Sequence, residues 1–148
     1  MKPPRLMILT STIPNDYGVG SIWMRDLCQL YGPSQIAYFC VHKPYTEPRT
    51  ISPELSDMTY EEIYGPRLLG ISKKRFGSFV RKISGMMISK YGQSQVLKRQ
   101  IDEAVEFGRR NGVEKLLIIL HDTYSILMAA EVAKKLQVEL VKLQRWIR

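Results

Sequence analysis

The sequence has few of the residues from which most catalytic and metal sites are built. Its 148 residues include two histidines, His42 and His121, and two cysteines, Cys28 and Cys40. The cysteines lie in separate apolar runs, so they form neither a zinc-binding spacing nor a disulfide framework. No Ser-His-Asp or Cys-His arrangement can be built from so few residues. We therefore predict no metal site, no catalytic residue and no cofactor, and we expect two buried thiols in a reducing compartment.

A long apolar run is also missing. The first run, at residues 6–9, is interrupted by Thr10, Ser11 and Thr12, and a proline follows at position 14. A membrane-spanning helix needs about 20 apolar residues, and a secretory signal needs a longer apolar stretch than this one. The sequence therefore favours a cytoplasmic protein without a signal peptide or a transmembrane span.

Acidic residues are absent between Glu62 and Asp102, although the chain carries 14 acidic and 22 basic residues in total. Nine of the basic residues lie in that window, so the net charge of +8 belongs mainly to one segment of an otherwise nearly neutral chain. Apolar residues recur there at helical spacing. This pattern predicts an amphipathic segment with a basic face and a local anionic partner.

Residues 5–41 have the pattern of a strand, a glycine loop, a helix and a second strand. The loop contains Gly18-Val19-Gly20, and Ser21 is in position to cap the helix that follows. Where a glycine loop joins a strand to a helix, the first backbone N–H groups of the helix are exposed and can bind an anion. A tight turn that needs glycine for backbone reasons alone explains the same residues.

Helices and strands alternate through the rest of the chain. Prolines at residues 42–66 predict a surface loop with one helical turn at 53–58. A helix is expected at 93–111, and the apolar run at 116–120 predicts a strand that is covered on both faces. A helix and a last strand follow, and we expect that helix to bury Leu127, Ala130, Ala133 and Leu136.

This alternation predicts a single domain over residues 1–148. Its expected fold is an α/β, Rossmann-like, doubly wound sandwich of about four parallel strands. Because no helix follows the last predicted strand, at 138–143, we expect the sandwich to be incomplete at the C-terminus, as in a truncated protein.

Taken in order, these features resemble the N-terminal half of a glycosyltransferase of the two-Rossmann-domain (GT-B) type, close to the retaining family called group 1 or family four. A later strand ending in His121, followed by a helix and the sequence Leu-Gln-Val-Glu-Leu-Val at 136–141, also resembles the family. The loop departs from it, because the family often has adjacent glycines. Residues 5–41 show the resemblance most fully. They begin with a basic residue and an apolar strand with a Ser/Thr-rich end, and a proline, a glycine loop and spaced leucines follow. The residues concerned are Arg5, residues 6–9, Thr10, Ser11, Thr12, Pro14, Gly18, Gly20, Leu27 and Leu30.

The resemblance implies an acceptor-side domain of a sugar-nucleotide-dependent glycosyltransferase that acts in glycan or glycolipid assembly. In such hexosyltransferase-type enzymes a C-terminal domain holds most of the sugar nucleotide. This chain alone is therefore expected to lack transferase activity and to contact a sugar nucleotide only together with that domain. The substrate-binding residues that it implies are Gly18, Val19, Gly20 and His121.

The resemblance also implies a location at the membrane surface. In membrane-associated GT-B enzymes the N-terminal domain carries basic and apolar residues that meet anionic lipid, where each Lys or Arg contributes about 1 kcal/mol. A core-packed helix with a solvated basic face remains the alternative. The residues expected to contact the membrane are Lys73, Lys74, Arg75, Phe76, Arg81 and Lys82.

Two other functions stay open. The basic segment suits a protein that binds nucleic acid, but Phe76 and Phe79 share the apolar stripe of the predicted helix, which favours burial or membrane contact over base stacking. A stand-alone nucleotide-binding domain fits the glycine loop. Its weakness is the end of the second strand, where Cys40-Val41-His42 offers no acid for a ribose.

Overall fold

The described residues form a five-stranded parallel sheet with helices on both faces. The computed structural model describes residues 4–42, 50–64, 93–119 and 123–143. Its strands and helices confirm the predicted α/β, Rossmann-like class. The strands are β1 (Leu6–Thr10), β2 (Ile36–His42), β3 (Thr59–Tyr64), β4 (Lys115–Ile119) and β5 (Glu139–Leu143), and the helices are α1 (Val19–Tyr31), α2 (Gln93–Arg110) and α3 (Thr123–Leu136).

The strand order is β3-β2-β1-β4-β5, so the chain changes direction across the sheet at β1. The central strand pairs on both sides, and Leu9, for example, lies opposite Phe39 of β2 and Ile118 of β4. The strands that follow β1 in the chain, β2 and β3, lie on one side of it, whereas β4 and β5 lie on the other. In open parallel sheets, ligands bind at such a switch point, next to the carboxyl ends of the strands.

The edge strand β3 lies in a region where the sequence predicts a loop. The expected helical turn is present at Pro53–Leu55, but residues 59–64 pair with β2 over six positions. Glu61 and Glu62 interrupt the apolar residues of this strand, so the sequence shows no apolar run from which a strand could be predicted. Charged residues are common on edge strands. The stacking of Tyr60 on Tyr38, with ring centroids 5.8 Å apart, helps to hold it on the sheet. The sheet therefore has five strands rather than about four.

Strand side chains alternate between two hydrophobic cores, one on each face of the sheet. On the α1 face, Met24 and Cys28 are buried against the strands, as the helical spacing predicts. On the other face, α2 and α3 cover a second core, in which the rings of Phe39 and Phe107 lie 5.3 Å apart between centroids.

The buried stripe of α3 differs from the prediction. Ala133 is buried and Leu136 is half-buried, as expected, but Ala130 is exposed. Residues 126–130 are all apolar, so their spacing does not determine which side faces the sheet. The side chains that the helix buries are Met128, Ala129, Val132 and Ala133.

Both cysteines are buried, as expected, and neither forms a disulfide among the described residues. Burial raises the pKa of the Cys28 thiol to about 12, so the thiol is protonated at neutral pH and is a poor nucleophile. Within the described ranges, no helix has the length and apolar character needed to cross a membrane.

Candidate anion-binding site at the β1–α1 loop

The loop between β1 and α1, residues 11–18, lies at the switch point of the sheet. Its first half is bound to neighbouring segments through its backbone. The hydroxyl of Tyr38 donates a hydrogen bond to the carbonyl oxygen of Thr12 at 2.5 Å, which ties the loop to β2. The backbone N–H of Ser52 donates to the carbonyl oxygen of Pro14 at 3.0 Å. The loop is therefore held from both sides before it reaches the helix.

The second half of the loop is fixed by side chains. The Oδ1 atom of Asn15 accepts a hydrogen bond from the backbone N–H of Tyr17 at 2.9 Å. The carboxylate of Asp16 pairs with Arg25 of α1 at 2.5 Å, and Arg25 also pairs with Asp26 at 2.6 Å. These two carboxylates, Asp26 most strongly, raise the pKa of Arg25. Because Asp16 and Asp26 share the single positive charge of Arg25, the three side chains keep a net negative charge, which opposes an incoming anion less than two unpaired carboxylates would.

The N-terminus of α1 has no side-chain cap among the described residues. Gly18 is the N-cap, with φ +86°, and its carbonyl oxygen accepts the first helical bond from the N–H of Ile22 at 3.0 Å. The prediction that Ser21 caps the helix is wrong: the helix starts two residues earlier, and Ser21 lies in its first turn. That turn also has no acidic residue. The positive end of the helix dipole and the first N–H groups are therefore available to an anion.

The two glycines of the loop have different roles. Gly18 has a positive φ of +86°, a conformation that favours glycine, so backbone geometry explains it. Gly20 has no such requirement. A Cβ built on Gly20 would have the Cγ2 atom of Thr12 as its nearest described neighbour, at 3.9 Å, which is an ordinary contact. Among the described residues, the missing side chain at Gly20 therefore leaves room for about one methyl-sized group beside the helix N-terminus, and no close contact requires glycine there.

The substitution Gly20→Ala should raise the free energy of unfolding by up to about 1 kcal/mol, since alanine loses less backbone entropy than glycine in a helix. The substitution Gly18→Ala is the matched control, and its positive φ should make it lose about 1–2 kcal/mol. Urea denaturation followed by circular dichroism measures both changes. A clear loss of stability in Gly20→Ala would show that the fold needs this glycine.

An exposed apolar rim borders the helix N-terminus. The exposed fractions of Tyr17 and Val19, on either side of Gly18, are 70% and 71%. An exposed aromatic ring beside an anion seat can stack on a ring of a bound molecule. Three residues that the sequence predicts for the site, Gly18, Val19 and Gly20, thus form the N-terminus of α1.

Other predicted residues lie outside the described ones. The strand β4 ends at Ile119 next to β1, and His121 comes two residues later, outside the described ranges. The six residues predicted to contact a membrane also lie outside them: Lys73, Lys74, Arg75, Phe76, Arg81 and Lys82.

A surface groove of about 860 Å³ lies between α2 and α3, away from the loop. Four of its five charged side chains, all except Glu106, have partners among the described residues: Lys135 binds Asp102 at 2.9 Å, and Arg110 pairs with Glu61. Arg109 donates to the carbonyl oxygen of Lys135 at 3.2 Å. This groove is less suited to a charged ligand than the N-terminus of α1.

Metal ligands do not gather in the described part of the chain, where no three His, Cys, Asp or Glu side chains form a group that could hold an ion. Comparison of the chain with protein-family models and with curated proteins gives no match in either case.

Proposed function

We propose that this chain is the acceptor-side, N-terminal half of a sugar-nucleotide-dependent glycosyltransferase of the GT-B type, acting in glycan or glycolipid assembly. The observation that carries the proposal is the uncapped N-terminus of α1 at the switch point of the sheet. This terminus would face the phosphate-bearing part of a sugar nucleotide across a cleft.

The open space at Gly20 supports the same function. A diphosphate oxygen that approaches the helix N-terminus needs room where a side chain would otherwise stand. The exposed ring of Tyr17 at the rim offers a surface for a sugar or another ring of the substrate. In this proposal His121, just beyond the end of β4, hydrogen-bonds a hydroxyl of the donor sugar.

The nucleoside end of the ligand is assigned to a second domain. In dinucleotide-binding Rossmann folds an acid near the end of the second strand binds the ribose, whereas β2 here ends at His42. The chain therefore offers a phosphate seat without the usual ribose contact. We therefore expect the chain alone to bind sugar nucleotides weakly and to transfer no sugar.

A titration followed by ¹⁵N NMR tests the proposal, with UDP-glucose and GDP-mannose as probes. We expect the amide signals of residues 18–21 to shift, with a dissociation constant of about 1 mM. The Gly20→Ala variant should bind about fivefold more weakly or worse, because its methyl group fills the space next to the N–H groups. Unchanged amide signals up to about 10 mM of either probe would contradict the proposal.

Membrane attachment is the second part of the proposal, and it rests on the charge pattern of the sequence. Sedimentation with vesicles that contain anionic lipid should pull down the chain at low salt. The triple variant Lys73→Glu, Lys74→Glu, Arg75→Glu should bind about 100-fold more weakly or worse, at about 1 kcal/mol per lost charge. A control with the same charge change at Arg109, Lys134 and Lys142, which are exposed and lie outside the basic segment, should bind more tightly than that variant. Equal losses in both variants would mean that net charge, not this segment, drives binding.

A further inference from the structure

Two polar atoms beside the β1–α1 loop are buried without a hydrogen-bond partner among the described residues. They are Nδ2 of Asn15 and Oγ of Ser52. The exposed fractions of these residues are 3% and 2%. Buried polar groups in folded proteins nearly always have a partner, so each exception requires an explanation.

The two residues are neighbours although 36 positions of the sequence separate them. The backbone N–H of Ser52 donates to the carbonyl oxygen of Pro14, which belongs to the peptide group shared with Asn15. The Oδ1 atom of Asn15 is fixed on the N–H of Tyr17. Since Nδ2 is attached to the same carbon as Oδ1, it lies within the turn that leads directly into Gly18 and α1.

We propose that Asn15 and Ser52 form a pair of hydrogen-bond donors that binds one oxygen of the ligand next to the N-terminus of α1. This inference rests on the function proposed above. The Oδ1 atom of Asn15 is already used, so the amide offers only N–H donors, and the Ser52 hydroxyl is free to donate. Together with the helix N–H groups they suit an acceptor oxygen, either of a phosphate or of a sugar hydroxyl.

Because both atoms are buried, the ligand oxygen reaches them through a small movement of the loop. Its outer residues, Asp16 and Tyr17, are exposed, and the pair between Asp16 and Arg25 lies at the surface.

Selective labelling gives a direct test, since the sequence has two asparagines, Asn15 and Asn111. The side-chain amide of Asn111 donates to the carbonyl oxygen of Phe107 at 2.8 Å, beyond the end of α2, and serves as the internal control. Protein labelled with ¹⁵N-asparagine is titrated with pyrophosphate and, separately, with methyl glucoside. We expect the Asn15 side-chain signals to shift and the Asn111 signals to stay. The probe that causes the shift identifies the oxygen as phosphoryl or hydroxyl.

The substitution Asn15→Asp keeps an oxygen for the N–H of Tyr17 and removes the amide donor. Because the aspartate also adds a negative charge that repels pyrophosphate, the neutral substitution Ser52→Ala, which removes only the hydroxyl donor, is measured beside it. Both should weaken pyrophosphate binding by about tenfold or more, whereas Asn111→Ala should leave it unchanged.

If, in uniformly ¹⁵N-labelled protein, the amides of Gly20 and Ser21 shift with pyrophosphate while the Asn15 side chain does not respond to either probe, the donor pair is refuted and the phosphate site stands. If none of these signals responds to any probe, both the pair and the proposed function fail. The titration of the unsubstituted protein decides the question even where Asn15→Asp does not fold.

Discussion

Replacing Phe107 by alanine should lower the free energy of unfolding by about 3–5 kcal/mol, the usual cost of emptying a large aromatic site in a core. The side chain of Phe107 is 1% exposed and packs against Phe39 between α2 and the sheet. Alanine would leave a cavity there and would remove the contact between the two rings, which contributes beyond the buried area.

Urea denaturation measures this loss, and Leu30→Ala provides the control. Leu30 is also a large apolar residue on a helix, but it is 87% exposed, so its removal should change stability by less than about 0.5 kcal/mol. A similar small change for Phe107→Ala would contradict the packing of α2 on the sheet. Because Phe107 lies on the face opposite α1, the amide signals of the β1–α1 loop should stay in place in the folded variant.

Replacing Gly108 by valine should cost about 1–3 kcal/mol, because a side chain at this position would meet atoms of α3 and β1. A Cβ at Gly108 would lie 2.7 Å from Cδ1 of Leu136 and 3.3 Å from Sδ of Met7. The side chain of Met7 is fully buried in the central strand, so it has little room to move away. Valine would therefore push α2 away from both α3 and β1.

A double-mutant cycle identifies the contact responsible. Leu136→Ala removes the nearest atoms, so the double variant with Gly108→Val should lose less stability than the sum of the two single variants. Thermal or urea unfolding of the four proteins gives the coupling energy. A simple sum would show that the strain comes from elsewhere in the core, and a stable Gly108→Val protein would contradict this packing.

Local patterns predicted those elements whose signal lies within one segment. The inner face of α1 follows from the spacing of Met24 and Cys28, and glycine stops follow α1 and α2, at Gly32 and Gly112, where φ is positive. Patterns failed where the deciding contact is distant. Residues 59–64 form a strand because they pair with β2. Contact with the sheet decides which side of α3 is buried.

The candidate site also combines features that local sequence patterns predict with features that depend on distant contacts. The glycine loop is visible in the sequence as a turn between a strand and a helix. Its internal geometry is not visible there, because the φ of Gly18, which starts the helix before Ser21, depends on how the loop is anchored. Asn15 could have been suspected from its Pro-Asn-Asp turn. No local signal links it to Ser52, since one long-range backbone hydrogen bond brings the two together.

The central position of β1 also determines the order in which the sheet can assemble. On one side β1 pairs with β2, so Leu6 lies opposite Ile36, but on the other side Leu6 lies opposite Lys115. During synthesis, strands β1 to β3 leave the ribosome well before β4. Until β4 arrives, β1 has one edge whose backbone groups cannot pair with their native partner, and such an edge favours aggregation. We therefore expect the pairing of β1 with β4, which joins distant parts of the sequence, to be slower than the pairing of β1 with β2.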